Sequence, residues 1–249
     1  MNAMINDDIG RHVRISTSMH SDIWEPCCNN TSCMYPIHYC LKPNIRRKLL
    51  KIAYDFHIFL GVNIPVEDVI FTGSLANFNY TEFSDIDLHI LIDYRKVNDD
   101  YELVRNHMSA KKTIWNEKHE IKIKGFEVEM YAQDTSEAHH STGVFSVIKN
   151  KWIIAPELKS PKIDFHLVMQ KSQDMMDRID KMLSSPNREL GIERVKEKIK
   201  KMRQAGLSRE GEFSIENLAF KVLRNTGYIG KIYKIARDDY DMRLSIEQE

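Results

Sequence analysis

The 249-residue chain has little of what would assign it to a specialised class. It has no excess of charge, since 36 Lys plus Arg balance 36 Asp plus Glu, and this excludes a basic coat of the kind that blankets nucleic acid. No apolar run approaches the roughly 18 residues of a membrane span, and the start, Met4-Ile5-Asn6-Asp7-Asp8, lacks the basic and apolar regions of a secretory signal. A soluble, intracellular protein is therefore expected. Glycine (10) and proline (7) are too sparse for a low-complexity or collagen-like chain, and no internal repeat is visible. With 42% apolar and 29% charged residues the composition is that of a globular protein.

Cysteine is absent from residues 41–249, and all four, Cys27, Cys28, Cys33 and Cys40, lie in one short stretch with His20 and His38 nearby. Zinc sites use pairs at short spacing such as Cys-x2-Cys, whereas these spacings are adjacent, five and seven. Reduced thiols in an N-terminal arm are the expectation, with zinc as the lesser alternative.

Residues 1–40 hold neither helical nor strand periodicity for long and read as an irregular N-terminal arm. From Asn44, Ile45, Leu49, Ile52, Phe56 and Phe59 recur at three and four residues until Gly61, which predicts an amphipathic helix capped at both ends. Val69-Ile70-Phe71 predicts a strand, and Asp85 to Ile92 alternates, with Ile86, Leu88, Ile90 and Ile92 on one face and Asp85, Asp87 and His89 on the other. A helix is predicted between Asn98 and Trp115, burying Leu103, Val104, His107, Ile114 and Trp115. A hairpin turning at Gly125 follows, its second strand alternating Phe126, Val128 and Met130 with Glu127, Glu129 and Tyr131. Ser141-Thr142-Gly143 is expected to cap a short helix carrying Val144, Val147 and Ile148, and Pro156 to Pro161 reads as a linker. Beyond it the pattern is helical, with a third segment after Ser214 broken near Gly227. The expected fold class is α+β: an arm (1–40), an α+β catalytic domain (41–157) and a helical domain (158–249).

The chemistry lies between Phe71 and His89. A strand ends in Gly73-Ser74, and a second begins with Asp85-Ile86-Asp87, eleven residues after the serine. Alternation puts Asp85 and Asp87 on one side, about 6.5 to 7 Å apart at Cα, close enough to share divalent cations. Magnesium suits them, because it takes few protein carboxylates and completes its shell with water and phosphate oxygens. A third acid from a neighbouring strand is expected, and both Glu127 and Glu129 lie on the polar face of the hairpin. Gly73 lets a phosphate approach the backbone, Ser74 can donate to it, and Leu75-Ala76 is expected to open a helix with its positive end towards the anion.

Gly-Ser, the spacer, Asp-Ile-Asp and the later acidic strand together resemble the nucleotidyltransferase superfamily typified by DNA polymerase beta, aminoglycoside nucleotidyltransferases and tRNA CCA-adding enzymes. The resemblance covers roughly residues 43–133. It implies a mixed sheet with helices on one face, two magnesium ions (Mg2+), and transfer of a nucleoside monophosphate from an NTP, ATP among them, with release of pyrophosphate. By that resemblance Asp85 and Asp87 hold both metals, and the third carboxylate, often Asp in the family, is Glu129, with Glu127 as runner-up. Gly211 to Arg224 is also similar to the helical ends of nucleotidyltransferases encoded in bacteriophage genomes. The expected location is cytoplasmic, the host cytoplasm if the chain is phage-encoded.

Lys221 and Arg224, spaced i,i+3, are candidates for contact with triphosphate oxygens, against the simpler reading of a solvated basic face. Residues 161–209 hold 12 Lys plus Arg against 7 Asp plus Glu, concentrated in Arg194, Lys196, Lys198, Lys200, Lys201 and Arg203. Without interleaved aromatics that run reads as the wet side of a helix before it reads as an RNA site. His139, His140, Ser141 and Thr142 are candidates to border an acceptor pocket. The expected function is Mg-dependent transfer of NMP to a hydroxyl of a small molecule or protein, with an RNA 3′ end and a non-catalytic nucleotide sensor as the alternatives.

Overall fold

The computed structural model describes residues 11–13, 16–27, 39–139, 141–159, 161–186 and 188–246. The chain divides into two compact units, one spanning 15–159 and the other joining 160–249 with the first 14 residues. No described helix is long and apolar enough to cross a membrane.

The first unit is built on a six-stranded mixed sheet of order β5-β6-β4-β3-β7-β8. Its strands are Asp68–Thr72 (β3), Ile86–Ile92 (β4), Lys122–Ile123 (β5), Phe126–Asp134 (β6), Val144–Ser146 (β7) and Lys151–Ile154 (β8). All neighbours are antiparallel except β4 and β6, which run parallel. A parallel pair needs a crossover, and the helix Tyr101–Lys118 (α2) supplies it. The sharp β5–β6 turn places Lys124 and Gly125 at φ 55° and 89°, the paired left-handed conformation that suits a two-residue hairpin.

Helix α1, Pro43–Leu60, buries Ile45, Leu49, Ile52 and Phe56 as the periodicity predicts. Its start differs: Pro43 opens the first turn after Lys42, and no side chain caps it. Helix α2 also differs in part. Its buried residues are Val104, Met108 and Trp115, while Leu103 and Ile114 are exposed and Asp100 caps its start. The short helix expected after Ser141-Thr142-Gly143 is instead the β7–β8 hairpin, because Phe145 pairs with Phe71 of β3.

The stretch expected to be irregular contributes to this core. Trp24–Pro26 (β1) and Tyr39–Leu41 (β2) pair as an antiparallel ribbon closed by a Cys27–Cys40 disulfide. That corrects the expectation of reduced thiols and removes both residues from any zinc site, while Cys28, Cys33 and His38 lie outside the described residues. His20 packs edge-on against Tyr80 and Phe126. Trp24 is fully buried, stacks on Phe71 and Trp152, and donates from Nε1 to the Leu75 carbonyl at 2.7 Å. Trp24→Ala should therefore cost about 3–5 kcal/mol in urea unfolding, by the transfer and cavity terms for a buried aromatic; a loss below about 1 kcal/mol would show the ribbon to be peripheral.

The second unit is helical: Phe165–Leu183 (α3), Arg188–Glu210 (α4), Ile215–Asn225 (α5) and Tyr228–Leu244 (α6). Met175, Ile179, Ile192, Ile199, Leu223 and Ile232 form its main core. Ser214 caps α5, accepting from Asn217 N. Gly206 lets α4 pass so close that a Cβ there would lie 2.6 Å from Ser214 Oγ.

Candidate active site

Parallel pairing of β4 and β6 sets the site. Their register puts Asp87 beside Glu129 and His89 beside Tyr131, while Ile86, Leu88 and Ile90 face the core. Asp85 stands one residue before β4, so alternation brings it to the same open face as Asp87. One carboxylate oxygen from each of Asp85, Asp87 and Glu129 lies within 4.8 Å of the others, and all three residues are half-buried. Glu127, the other candidate, is exposed and sits opposite Lys122 on the hairpin.

Gly73 closes the third side. It follows Thr72, whose antiparallel partner is Asp87, and has φ 81° and ψ −168°. A Cβ at this position would lie 1.9 Å from Asp87 Oδ2, so only glycine leaves room for the carboxylate. Ser74 donates from Oγ to Ser84 Oγ at 2.8 Å, which ties the Gly-Ser turn to the residue preceding Asp85. The helix expected at Leu75-Ala76 is a single 3-10 turn, Ser74–Ala76, too short to present a helix dipole. The Gly143 backbone abuts that turn, where a Cβ would lie 2.0 Å from the Ala76 carbonyl oxygen.

A column of aromatic and polar side chains continues along the open face. The Tyr131 hydroxyl donates to Glu129 Oε2, and its ring stacks on His89 with centroids 4.6 Å apart. Lys112 Nζ stands 4.2 Å from the Tyr131 ring. His89 Nδ1 is 2.9 Å from Gln133 Oε1, and Gln133 Nε2 donates to the Glu137 carbonyl at 3.5 Å. Because Gln133 presents its oxygen, the His89 proton belongs on Nδ1, which leaves Nε2 as an acceptor. Burial pulls the His89 pKa down to about 4, against the Gln133 hydrogen bond and with help from the His139 and Lys112 charges, so the ring is neutral at pH 7. Burial, the bond to Glu129 and the charges of Asp87, Glu129 and Asp85 all push the Tyr131 phenol well above its ordinary value.

Beside the carboxylates lies a cavity of about 410 Å³, lined by Thr72, His89, Gln133, Glu137, His139 and Ser141. That volume suits a small molecule. His139 and Ser141 line this cavity, while Thr142 accepts from Asn77 Nδ2 and, against the expected cap, no helix follows it; His140 lies outside the described residues. Tyr131 and Gln133 carry no role in the sequence reading, although they share the parity of Glu129 on β6. Lys221 and Arg224 sit on α5, which belongs to the helical unit, whereas the three acids belong to the other unit. Two further buried carboxylates are structural. Asp68 accepts from Val69 N and Ser146 Oγ and pairs with Lys149 at 3.2 Å, and Asp134 accepts from Tyr94 N at 2.7 Å.

No family model matches the chain. No curated protein matches it either. Among solved structures it is similar to the STING-associated CdnE c-di-GMP synthase from Capnocytophaga granulosa, with 13% identity and a TM-score of 0.23 over 80% of this chain and 84% of that one. A likeness at that level leaves the chemistry to be argued from the residues themselves.

Proposed function

We propose that the protein is a magnesium-dependent nucleotidyltransferase, moving NMP from an NTP to a hydroxyl of a small molecule or protein with release of pyrophosphate. The observation that carries this reading is the convergence of Asp85, Asp87 and Glu129 beside a glycine that no other residue can replace. Three hard oxygen donors within 4.8 Å fit Mg2+, and Asp85, Asp87 and Glu129 are the residues that would hold it. Bound there, magnesium would supply charge neutralisation on the triphosphate and would acidify the attacking hydroxyl.

The remaining work falls to the chain. The new bond joins the acceptor oxygen to the α-phosphorus, the α–β phosphoanhydride bond breaks with its electron pair leaving on pyrophosphate, and the acceptor proton passes to Glu129. The Tyr131 hydroxyl holds Glu129 from Oε2, so the carboxylate keeps one orientation. Gly73 exposes its backbone to the phosphates, and the Ser74–Ser84 bond keeps that turn against Asp85. The 410 Å³ cavity favours a small acceptor over an RNA end.

The test is pyrophosphate release from each of the four NTPs with Mg2+, in the presence of a cell extract as acceptor source. Wild type should release pyrophosphate only with extract present. Glu129→Gln should reduce the rate by about a hundredfold or more, by loss of a proton acceptor and a metal ligand, whereas Glu127→Gln should match wild type. Equal loss in both variants would overturn the assignment of Glu129. A silent wild type that NTP nevertheless stabilises against heat would leave a nucleotide-binding protein without turnover.

A further inference from the structure

The helical unit carries a groove lined by residues of that unit alone. It lies along α4, faces α5 and α6, and encloses about 960 Å³. Apolar side chains stand in water along it: Leu190 is 72% exposed, Tyr233 59% and Leu207 39%, above a floor that includes Ile199 and Ile232. A contiguous apolar face of this kind marks an interaction surface.

The charges on its rim narrow the partner. Four cations, Arg194, Lys196, Lys200 and Arg203, stand against two acids, Glu193 and Glu197. Both acids are engaged, Glu193 with Lys196 at 2.8 Å and Glu197 with Lys201 at 2.7 Å. Among the described residues no carboxylate pairs with Arg194, Lys200 or Arg203 within 4.0 Å. Arg203 is the most exacting of them. The residue is exposed, and its guanidinium lies 4.4 Å from the Phe220 centroid with Asn217 Oδ1 as an acceptor at 3.4 Å. A guanidinium held over an aromatic ring, with no carboxylate beside it among the described residues, is placed to pair with a bound anion.

We propose that this groove binds an acidic amphipathic helix, its apolar stripe on Leu190, Ile199, Leu207 and Tyr233 and its carboxylates on Arg194, Lys200 and Arg203. From Leu190 to Leu207, α4 runs about 26 Å at 1.5 Å per residue, enough to seat four to five turns of a partner helix. The floor favours a peptide over single-stranded RNA. Bases need open aromatic faces, but Arg203 covers one face of Phe220 and Lys196 stands 4.9 Å over Tyr233, leaving aliphatic side chains as the main surface. The proposal stands independently of the nucleotidyl-transfer reading.

The experiment uses the full chain and a fluorescein-labelled synthetic helix of about 18 residues with leucines at i, i+3, i+4 and i+7 and glutamates elsewhere. Saturable binding is expected, weakened by added salt, by Leu190→Asp, and about tenfold by Arg203→Met. Without peptide, Arg203→Met should melt close to wild type, since the site is exposed and methionine keeps an apolar contact to Phe220, and this separates lost binding from lost folding. The proposal fails if binding does not saturate, if a lysine-for-glutamate peptide binds equally well, or if oligouridylate binds the same groove more tightly. It fails likewise if sedimentation shows a dimer that Leu190→Asp dissociates, because the occupant is then a second copy of the chain.

Discussion

Asp87→Asn protein is expected to lose the stabilisation that Mg2+ gives wild type. Asp85, Asp87 and Glu129 place three carboxylate oxygens within 4.8 Å. Replacing Asp87 by the isosteric amide removes one of the three charged donors while leaving Ile86 and Leu88 in the core. In wild type, Mg2+ at a hundred times its dissociation constant should add about 2.7 kcal/mol to folding of the α+β unit, a rise of about 5–11 °C, and the variant should show little of this. Pyrophosphate release should fall by about a thousandfold or more, as expected when a metal ligand is lost from phosphoryl transfer. Equal stabilisation of both proteins by Mg2+ would place the cation elsewhere and remove the ground for the proposed reaction. The stability readout needs no acceptor, so it tests the metal site separately from turnover.

Much of this site was legible because it depends on strand alternation. Ile86, Leu88, Ile90 and Ile92 fix which side of β4 is buried, and the two aspartates must then share the other. The resemblance already favours Glu129 over Glu127, while the register that sets Glu129 beside Asp87 is a tertiary quantity that no local pattern carries. Tyr131 and Gln133 share the parity of Glu129, but nothing local reveals that Tyr131 stacks on His89 or that Gln133 bonds it. The β7–β8 hairpin was misread because Val144, Val147 and Ile148 fall at helical spacing, while the pairing of Phe145 with Phe71 that makes a strand there is non-local. On α2 the chain offers two apolar stripes, and packing chose the one through Val104, Met108 and Trp115, leaving Leu103 and Ile114 in water. The Cys27–Cys40 bridge joins residues across a ribbon with no sequence periodicity, so spacing alone gave no pairing.

Gly73→Ala is expected to remove the Mg2+ response as fully as Asp87→Asn, and to destabilise the metal-free fold as well. The new Cβ would lie 1.9 Å from Asp87 Oδ2, 2.9 Å from its Cγ and 3.4 Å from its Cβ. Backbone movement offers little relief, because Thr72 pairs with Asp87 across β3 and β4 and Leu75, two residues on, is held by Trp24 Nε1. The conformation at residue 73, φ 81° and ψ −168°, belongs to a region open almost only to glycine, which adds about 1–3 kcal/mol for any other residue. The Asp87 carboxylate must therefore swing away from Asp85 and Glu129, and the three-acid cluster is lost without changing any acid. Metal-free Gly73→Ala should melt below wild type. Adding Asp87→Gly to Gly73→Ala removes the steric clash but leaves the backbone strain, so the double variant should regain only part of the lost stability and none of the Mg2+ response. A Gly73→Ala protein that keeps the full Mg2+ stabilisation of wild type would mean that Asp87 is not held against the Gly-Ser turn, and the geometry that supports nucleotidyl transfer would not stand.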